Sequence, residues 1–218
     1  MSYQSILFDL DGTLLNTLED IAESSNFALR HLGFPEHSLE SYKYLIGDGL
    51  EALVRDVLPE DRCDAAMRGE CAALIRKEYG QRWDRKTRPY EGVAELLDAV
   101  TAREIPMAIL SNKPDDLAKL CVARLLPRWQ FAAVIGARPS VPKKPDPAGT
   151  LEIAKHLRGD TAEIVYLGDT GTDMKTATAV GMFPVGALWG FRAADELTAA
   201  GAEVLISKPL ELLDVFDA

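Results

Sequence analysis

Two hydrophobic periodicities run along the chain, and their order predicts its architecture. Residues 6–8, Ile6-Leu7-Phe8, are a short continuous apolar run, the pattern of a strand buried on both faces. A helical stripe follows, with Leu18, Ile21, Ala22, Ser25, Ala28, Leu29 and Leu32 at spacings of three and four, and Gly33 ends it. Residues 35–41 read as a loop. Gly47-Asp48-Gly49 interrupts the pattern before a second stripe, Leu50, Leu53, Val54, Val57 and Leu58, which stops at Pro59. A third stripe, Met67, Cys71, Leu74, Ile75 and Tyr79, ends at Gly80. Residues 17–85 are therefore predicted to be a helical block without strands.

Beyond Arg88-Pro89-Tyr90-Glu91-Gly92 the two periodicities alternate. Helices are predicted at 93–100, 117–124, 147–157 and 173–180. Strands are predicted at 105–110, 131–135, 164–167, 184–188 and 204–206, and residues 193–202 form an Ala-rich helix. Alternating helices and continuous apolar strands predict a parallel sheet covered on both faces. The first strand belongs to that sheet, so the helical block is an insertion. The expected organisation is an α/β core domain of residues 1–16 and 86–218 with a helical cap domain of residues 17–85.

Composition narrows the picture. The 218 residues are 47% hydrophobic and 27% charged, which suits a globular core with a smaller insertion. A net charge of -10 argues against nucleic acid as a partner, because phosphate backbones need clustered Lys and Arg. A small anionic substrate stays open, since a bound divalent cation reverses the local field. Cys63, Cys71 and Cys121 are an odd count without CxxC spacing, which predicts free thiols in a reducing compartment, not a disulfide scaffold or zinc site. Cys71 and Cys121 fall on apolar stripes and are expected in the core. No apolar run approaches the ~18 residues of a membrane span, and Met1 leads straight into a strand. The expected location is the cytoplasm, with no membrane partner.

Ligands of open α/β sheets bind beyond the carboxyl ends of the strands, so the polar residues there carry the candidate chemistry. The first strand runs into Asp9 and Asp11, two carboxylates that repel unless a cation or shared proton compensates. Gly12 lets the backbone turn at once, and Thr13 follows. An Asp-Gly hairpin turn is the alternative, but Leu14 and Leu15 lead into a helical pattern. The strand at 107–110 ends in Ser111-Asn112-Lys113-Pro114. Ser111 and Asn112 are donors where an oxyanion would sit, or else cap the next helix; Asp115 looks the better cap. After the strand at 131–135, Lys143-Lys144-Pro145-Asp146-Pro147 is either a solvated turn or a rigid loop whose Lys neutralises a phosphoryl group. The strand at 164–167 ends in Gly168-Asp169-Thr170-Gly171-Thr172-Asp173, two carboxylates at i, i+4 that could equally cap a helix.

In this order, Asp9-Leu10-Asp11-Gly12-Thr13, Ser111, Lys144-Pro145 and Gly168-Asp169 through Asp173 resemble the four motifs of the haloacid dehalogenase superfamily. The resemblance implies a Rossmann-like parallel sheet core, the haloacid dehalogenase fold, with an inserted α-helical cap. It implies a Mg²⁺-dependent phosphomonoester hydrolase working through an aspartyl-phosphate. In that scheme Asp9 is the nucleophile, Asp11 the proton shuttle, and Ser111 and Lys144 stabilise the phosphoryl group. Mg²⁺ would be held by Asp9, the Asp11 carbonyl and Asp169, with Asp173 in support. Thr13 and Asn112 are expected to bind substrate, as is the cap loop Gly47-Asp48-Gly49; Lys143 is read as surface. Dehalogenases lack the second Asp, so dehalogenation is not expected.

Pro89-Tyr90-Glu91-Gly92, Lys144-Pro145-Asp146-Pro147, Gly168 to Met174 and Trp189-Gly190-Phe191-Arg192 look like phosphoglycolate phosphatases. Asn16 departs from the Asp that relatives often carry at the cap hinge. The resemblance implies a small phosphorylated metabolite as partner, 2-phosphoglycolate first, and a monomer or homodimer. The alternatives are a phosphosugar mutase of the β-phosphoglucomutase type, a pyrophosphatase or nucleotidase, and an inactive scaffold serving as a binding module.

Overall fold

The computed structural model describes residues 3–217. Strand β1 (Ser5–Phe8) and the two-residue β2 (Leu15–Asn16) precede four helices, α1 (Leu18–Leu32), α2 (Leu39–Leu45), α3 (Leu50–Val57) and α4 (Ala65–Arg82). β3 (Arg88–Pro89) pairs antiparallel with β2, so the chain leaves for the helices and returns from them through one short ribbon. There follow α5 (Val93–Ala102), β4 (Met107–Pro114), α6 (Asp115–Leu125), β5 (Ala133–Ala137) and α7 (Ala148–Ala154). β6 (Ile164–Gly168), α8 (Gly171–Ala179), β7 (Phe183–Ala187), α9 (Ala194–Ala199) and β8 (Val204–Ile206) complete the order.

Six strands form one parallel sheet in the order β5-β4-β1-β6-β7-β8. β1 is central, with Ile6 opposite Met107 on one side and Phe8 opposite Leu167 on the other. Its alternation serves both faces. Ile6 and Phe8 join one apolar cluster and Leu7 the other, and all three are fully buried. Burying each such side chain is worth about 1.5–3 kcal/mol. The strand order reverses around β1, and that is where an open α/β sheet leaves a crevice at its carboxyl edge.

The helical block has no strand between β2 and β3. Its first helix is tied to the returning chain by the buried Asp20, whose Oδ2 accepts from Lys86 N, Thr87 N and Thr87 Oγ1 at 2.8–2.9 Å. Three local expectations need correction. α2 occupies part of the stretch read as a loop, because Ser38 caps it by accepting from Ser41 N. Tyr42 pins it, fully buried and donating to Asn26 Oδ1 at 2.8 Å. α4 continues through Gly80 to Arg82; burial of Cys71, Ile75 and Tyr79 overrides a glycine cost of about 1 kcal/mol. β4 runs four residues past Leu110, with consequences described below. Cys71 and Cys121 are free and buried, as expected. Among the described residues no helix is long and apolar enough to cross a membrane.

Candidate active site

The floor of the site is a set of charges fixed at strand ends. Asp9 follows β1 directly, its N–H donating to Leu167 O at 2.9 Å. Lys144 Nζ donates to Asp9 Oδ1 and Asp173 Oδ1, each at 2.7 Å, and to Leu110 O at 3.1 Å. Asn112 holds the Lys144 backbone from both sides, accepting from its N–H at 2.9 Å and donating to its carbonyl at 3.1 Å. Burial works against the Lys144 ammonium, but Asp173 and Asp9 more than reverse that and hold it well above the usual lysine range. Burial pushes the Asp9 carboxyl up to about 7; Lys144 offsets part of this and Asp173 adds to it.

Asp169 is more isolated. It is fully buried and accepts from Thr13 Oγ1 at 2.9 Å and Phe191 N at 2.8 Å. It has no salt bridge among the described residues, and burial together with Asp9 and Asp173 raises its carboxyl well above the ordinary range. Gly12 makes room for it. Its φ is +92°, and a Cβ there would overlap the Asp169 carboxylate. Asp173 is not the cap of α8. Thr170 is, and Asp173 closes the box by accepting from Thr170 N and Oγ1 through Oδ2, which leaves Oδ1 for Lys144.

Carboxylate oxygens of Asp9, Asp169 and Asp173 all lie within 4.8 Å of one another. With all three ionised, three carboxylates faced by a single ammonium leave an excess of two negative charges in a buried place, and without a cation the Asp9 and Asp169 carboxyls are pushed towards their protonated forms. Hard oxygen donors with that excess fit a divalent cation of the Mg²⁺ kind, and the unpaired Asp169 is the observation that most calls for one.

Between this floor and the helical block lies a cavity of about 80 Å³. Asp9, Asp11, Ser111, Asn112 and Lys113 line it from the sheet side, and Gly47, Gly49, Leu50, Leu53, Ile75 and Tyr79 from the other. An irregularity in β4 puts three of these residues there. Leu110 pairs with Ile135, but the next pair is Pro114 with Ala137, so four residues of β4 span two of β5. The surplus bulges Ser111, Asn112 and Lys113 towards the cavity, as bulges beside active sites commonly do. Gly136 permits it, since a Cβ there would strike the backbone of Lys113 and Asp115.

Lys113 lines the cavity beside Asp11 without having been singled out from the sequence. It is buried, with Nζ at 2.9 and 3.1 Å from the two Asp11 oxygens and 4.6 Å from the centroid of the Tyr79 ring. Burial alone would lower its ammonium, but the Asp11 carboxylate beside it carries it well above the usual range. A cation continuing the apolar run 107–110 was the available signal.

Other residues fall differently from expectation. Thr13 is fully buried and gives its hydroxyl to Asp169, away from the cavity lining. Gly47 and Gly49 line the cavity, and the Gly47 carbonyl accepts from Asn112 Nδ2 at 3.2 Å. Asp48 turns away and accepts from Thr172 Oγ1 at 2.8 Å. Lys143 is not merely surface, because it pairs with Glu51 on α3. Asp115 does not cap α6; it is the helix's first residue, and its Oδ1 accepts from Gly136 N at 2.9 Å.

Further contacts close the helices over the sheet. Arg76 on α4 pairs with Asp116 on α6. Arg192 donates to the carbonyls of Lys43, Tyr44 and Ile46 at the C-terminal end of α2. Trp189 Nε1 donates to Thr13 O at 2.9 Å.

Residues 6–187 match the family described as haloacid dehalogenase-like hydrolase. A phosphoglycolate phosphatase of Photobacterium profundum is 30% identical over 215 residues, covering 96% of this chain and 94% of that one. One of Aquifex aeolicus is 29% identical, covering 97% and 96%. Among solved structures, a protein from Lactobacillus delbrueckii subsp. bulgaricus, proposed to be a phosphoglycolate phosphatase, superposes with a TM-score of 0.91 at 25% identity, covering 99% of each chain.

Proposed function

The chain belongs to the haloacid dehalogenase-like hydrolases, as a phosphatase similar to their phosphoglycolate phosphatases, and from that premise we propose that it hydrolyses a small phosphomonoester through Asp9 with Mg²⁺ as cofactor. One observation carries this proposal. Asp9 is a buried carboxylate at the end of the central strand, held by Lys144 through one oxygen, and it opens on a cavity that Asp11 also lines.

The Asp9 oxygen not held by Lys144 attacks phosphorus, forming an acyl phosphate as the bond to the leaving oxygen breaks. Asp11 gives its proton to that oxygen. It then takes a proton from the water that cleaves the acyl phosphate, releasing inorganic phosphate and restoring the Asp9 carboxylate and the protonated Asp11. Charge on the transferring group spreads over its equatorial oxygens, where the Ser111 hydroxyl, backbone N–H groups after Asp9 and the Lys144 ammonium stabilise it. Asp9, the Asp11 carbonyl and Asp169 would hold Mg²⁺, with Asp173 behind them, and when bound it supplies further positive charge to the phosphoryl oxygens.

The enclosed space supports a small substrate. At roughly 10–15 Å³ per water, a cavity of about 80 Å³ suits a two- or three-carbon ester better than a hexose phosphate. The names of the relatives favour 2-phosphoglycolate. The test is phosphate release from 2-phosphoglycolate, β-glucose 1-phosphate and pyrophosphate, with Mg²⁺ or with chelator, beside Asp9→Asn. We expect release to be fastest from 2-phosphoglycolate, to stop with chelator and to fall roughly 10⁴-fold or more in Asp9→Asn. Undiminished release by that variant would overturn the mechanism. Isomerisation of the glucose phosphate with little release would favour a mutase.

A further inference from the structure

Two buried lysines stand at the site, and the phosphatase chemistry uses one. Lys144 lies under Asp9. Lys113 faces the cavity, and among the described residues it is the one buried cation that lines it. Arg76 also reaches the lining, but its guanidinium is half exposed and paired with Asp116. Lys113 is held between the Asp11 carboxylate and the face of Tyr79, whose buried hydroxyl has no hydrogen-bond partner among the described groups.

We propose that Lys113 recognises a carboxylate on the leaving group of the substrate, exchanging Asp11 for it, and so makes the chain selective for phosphate esters of small hydroxy acids. This rests on the phosphatase assignment above and names the substrate class it serves.

Geometry and charge both lead there. To reach the leaving oxygen, Asp11 has to come within hydrogen-bond distance of it. Lys113 Nζ contacts both Asp11 oxygens, so the first atoms beyond the leaving oxygen lie next to Nζ. A carboxylate one carbon away falls within its reach. As Asp11 turns to the leaving oxygen it gives up Lys113, and a buried ammonium without a partner is costly. A substrate carboxylate replaces the lost partner, while a neutral leaving group does not. The helical side of the wall, including Ile21, Leu53 and Ile75, is mostly apolar and offers little to the hydroxyls of a sugar.

The test compares kcat/KM for 2-phosphoglycolate and for its carboxyl methyl ester, in the wild type, Lys113→Met and Lys113→Arg. The wild type is expected to prefer the acid by roughly 30-fold or more. Lys113→Met is expected to bring the ratio within about 3-fold of one, and Lys113→Arg to keep part of the preference. A merely structural lysine would lower both rates together and leave the ratio unchanged, which overturns the proposal. Should Lys113→Met fail to fold, the wild-type ratio decides, because an ester turned over as fast as the acid also overturns it. Release from neither compound, with release from another phosphomonoester, defeats the 2-phosphoglycolate reading proposed above, and this inference with it.

Discussion

The two sides of the cavity are held in opposite ways. On the sheet side, Asp9, Lys144, Asp169 and Asp173 are buried; Lys144 joins Asp9 to Asp173, and Asp169 is held by Thr13 and the Phe191 N–H. On the helical side the lining is mostly apolar, and the contacts that shut it are pairs at the rim, such as Lys143 with Glu51, whose carboxylate is 77% exposed. Buried charge networks are rigid and expensive to disturb, whereas exposed pairs are worth about 0–1 kcal/mol. The charged groups of the floor are thus fixed by buried contacts, whereas the helical side meets them through exposed pairs and through the carbonyls that Arg192 and Asn112 hold.

The sharpest way to break the contrast is at Lys144. Lys144→Met leaves three buried carboxylates without a cation and is expected to cost about 3–5 kcal/mol of stability, read as a lower urea midpoint, along with nearly all phosphate release. Asp11→Asn takes the carboxylate from the buried Lys113, so it should lower the urea midpoint as well and slow turnover by ~10²–10⁴-fold, measured as kcat for 2-phosphoglycolate.

The metal-free protein should also reveal the strain of its floor through pH. The Asp9 carboxyl titrates near 7 when folded, against an ordinary value of 3.8, so the folded chain holds a proton there that the unfolded chain has lost. Stability therefore falls as pH rises from about 4 to about 7, by an amount on the order of a few kcal/mol. Mg²⁺ should flatten that slope in urea titrations; a slope unchanged by Mg²⁺ would count against cation binding at these carboxylates. The smallest effect belongs to the rim. Glu51→Ala should shift KM by no more than about 5-fold and the unfolding free energy by less than about 1 kcal/mol.

The same contrast explains what could be read from residues alone. Asp9, Asp11, Lys144, Asp169 and Asp173 stand at the ends of apolar runs or in rigid Pro- and Gly-punctuated loops, so local pattern and position point to them together. Lys113 also follows an apolar run, but that position alone did not show its burial, which comes from a bulge in β4 and from Tyr79, more than thirty residues away in the helical block. Thr13 was legible as part of a motif but not in its role, since only the packed structure shows its hydroxyl facing Asp169. In the helical block the stripes located α1, α3 and α4. α2 escaped because its seven residues carry one fully buried side chain, Tyr42, too few to mark a period. Asp48 and Lys143 likewise take their partners, Thr172 and Glu51, from distant sequence.

The grip of Arg192 on α2 bears on how freely such proteins can exchange parts. The last carbonyls of a helix need donors from outside it, and here the Lys43, Tyr44 and Ile46 carbonyls receive theirs from a loop beyond β7. Phe191, its neighbour in that loop, donates to Asp169. A chimera that grafts another relative's helices between β2 and β3 would thus inherit a guanidinium shaped for the old ones, while an excised helical block would have a frayed α2. In this chain the two modules are separable along the sequence but share a seam, and recombination that respects the seam would have to carry Arg192 with the helices it finishes.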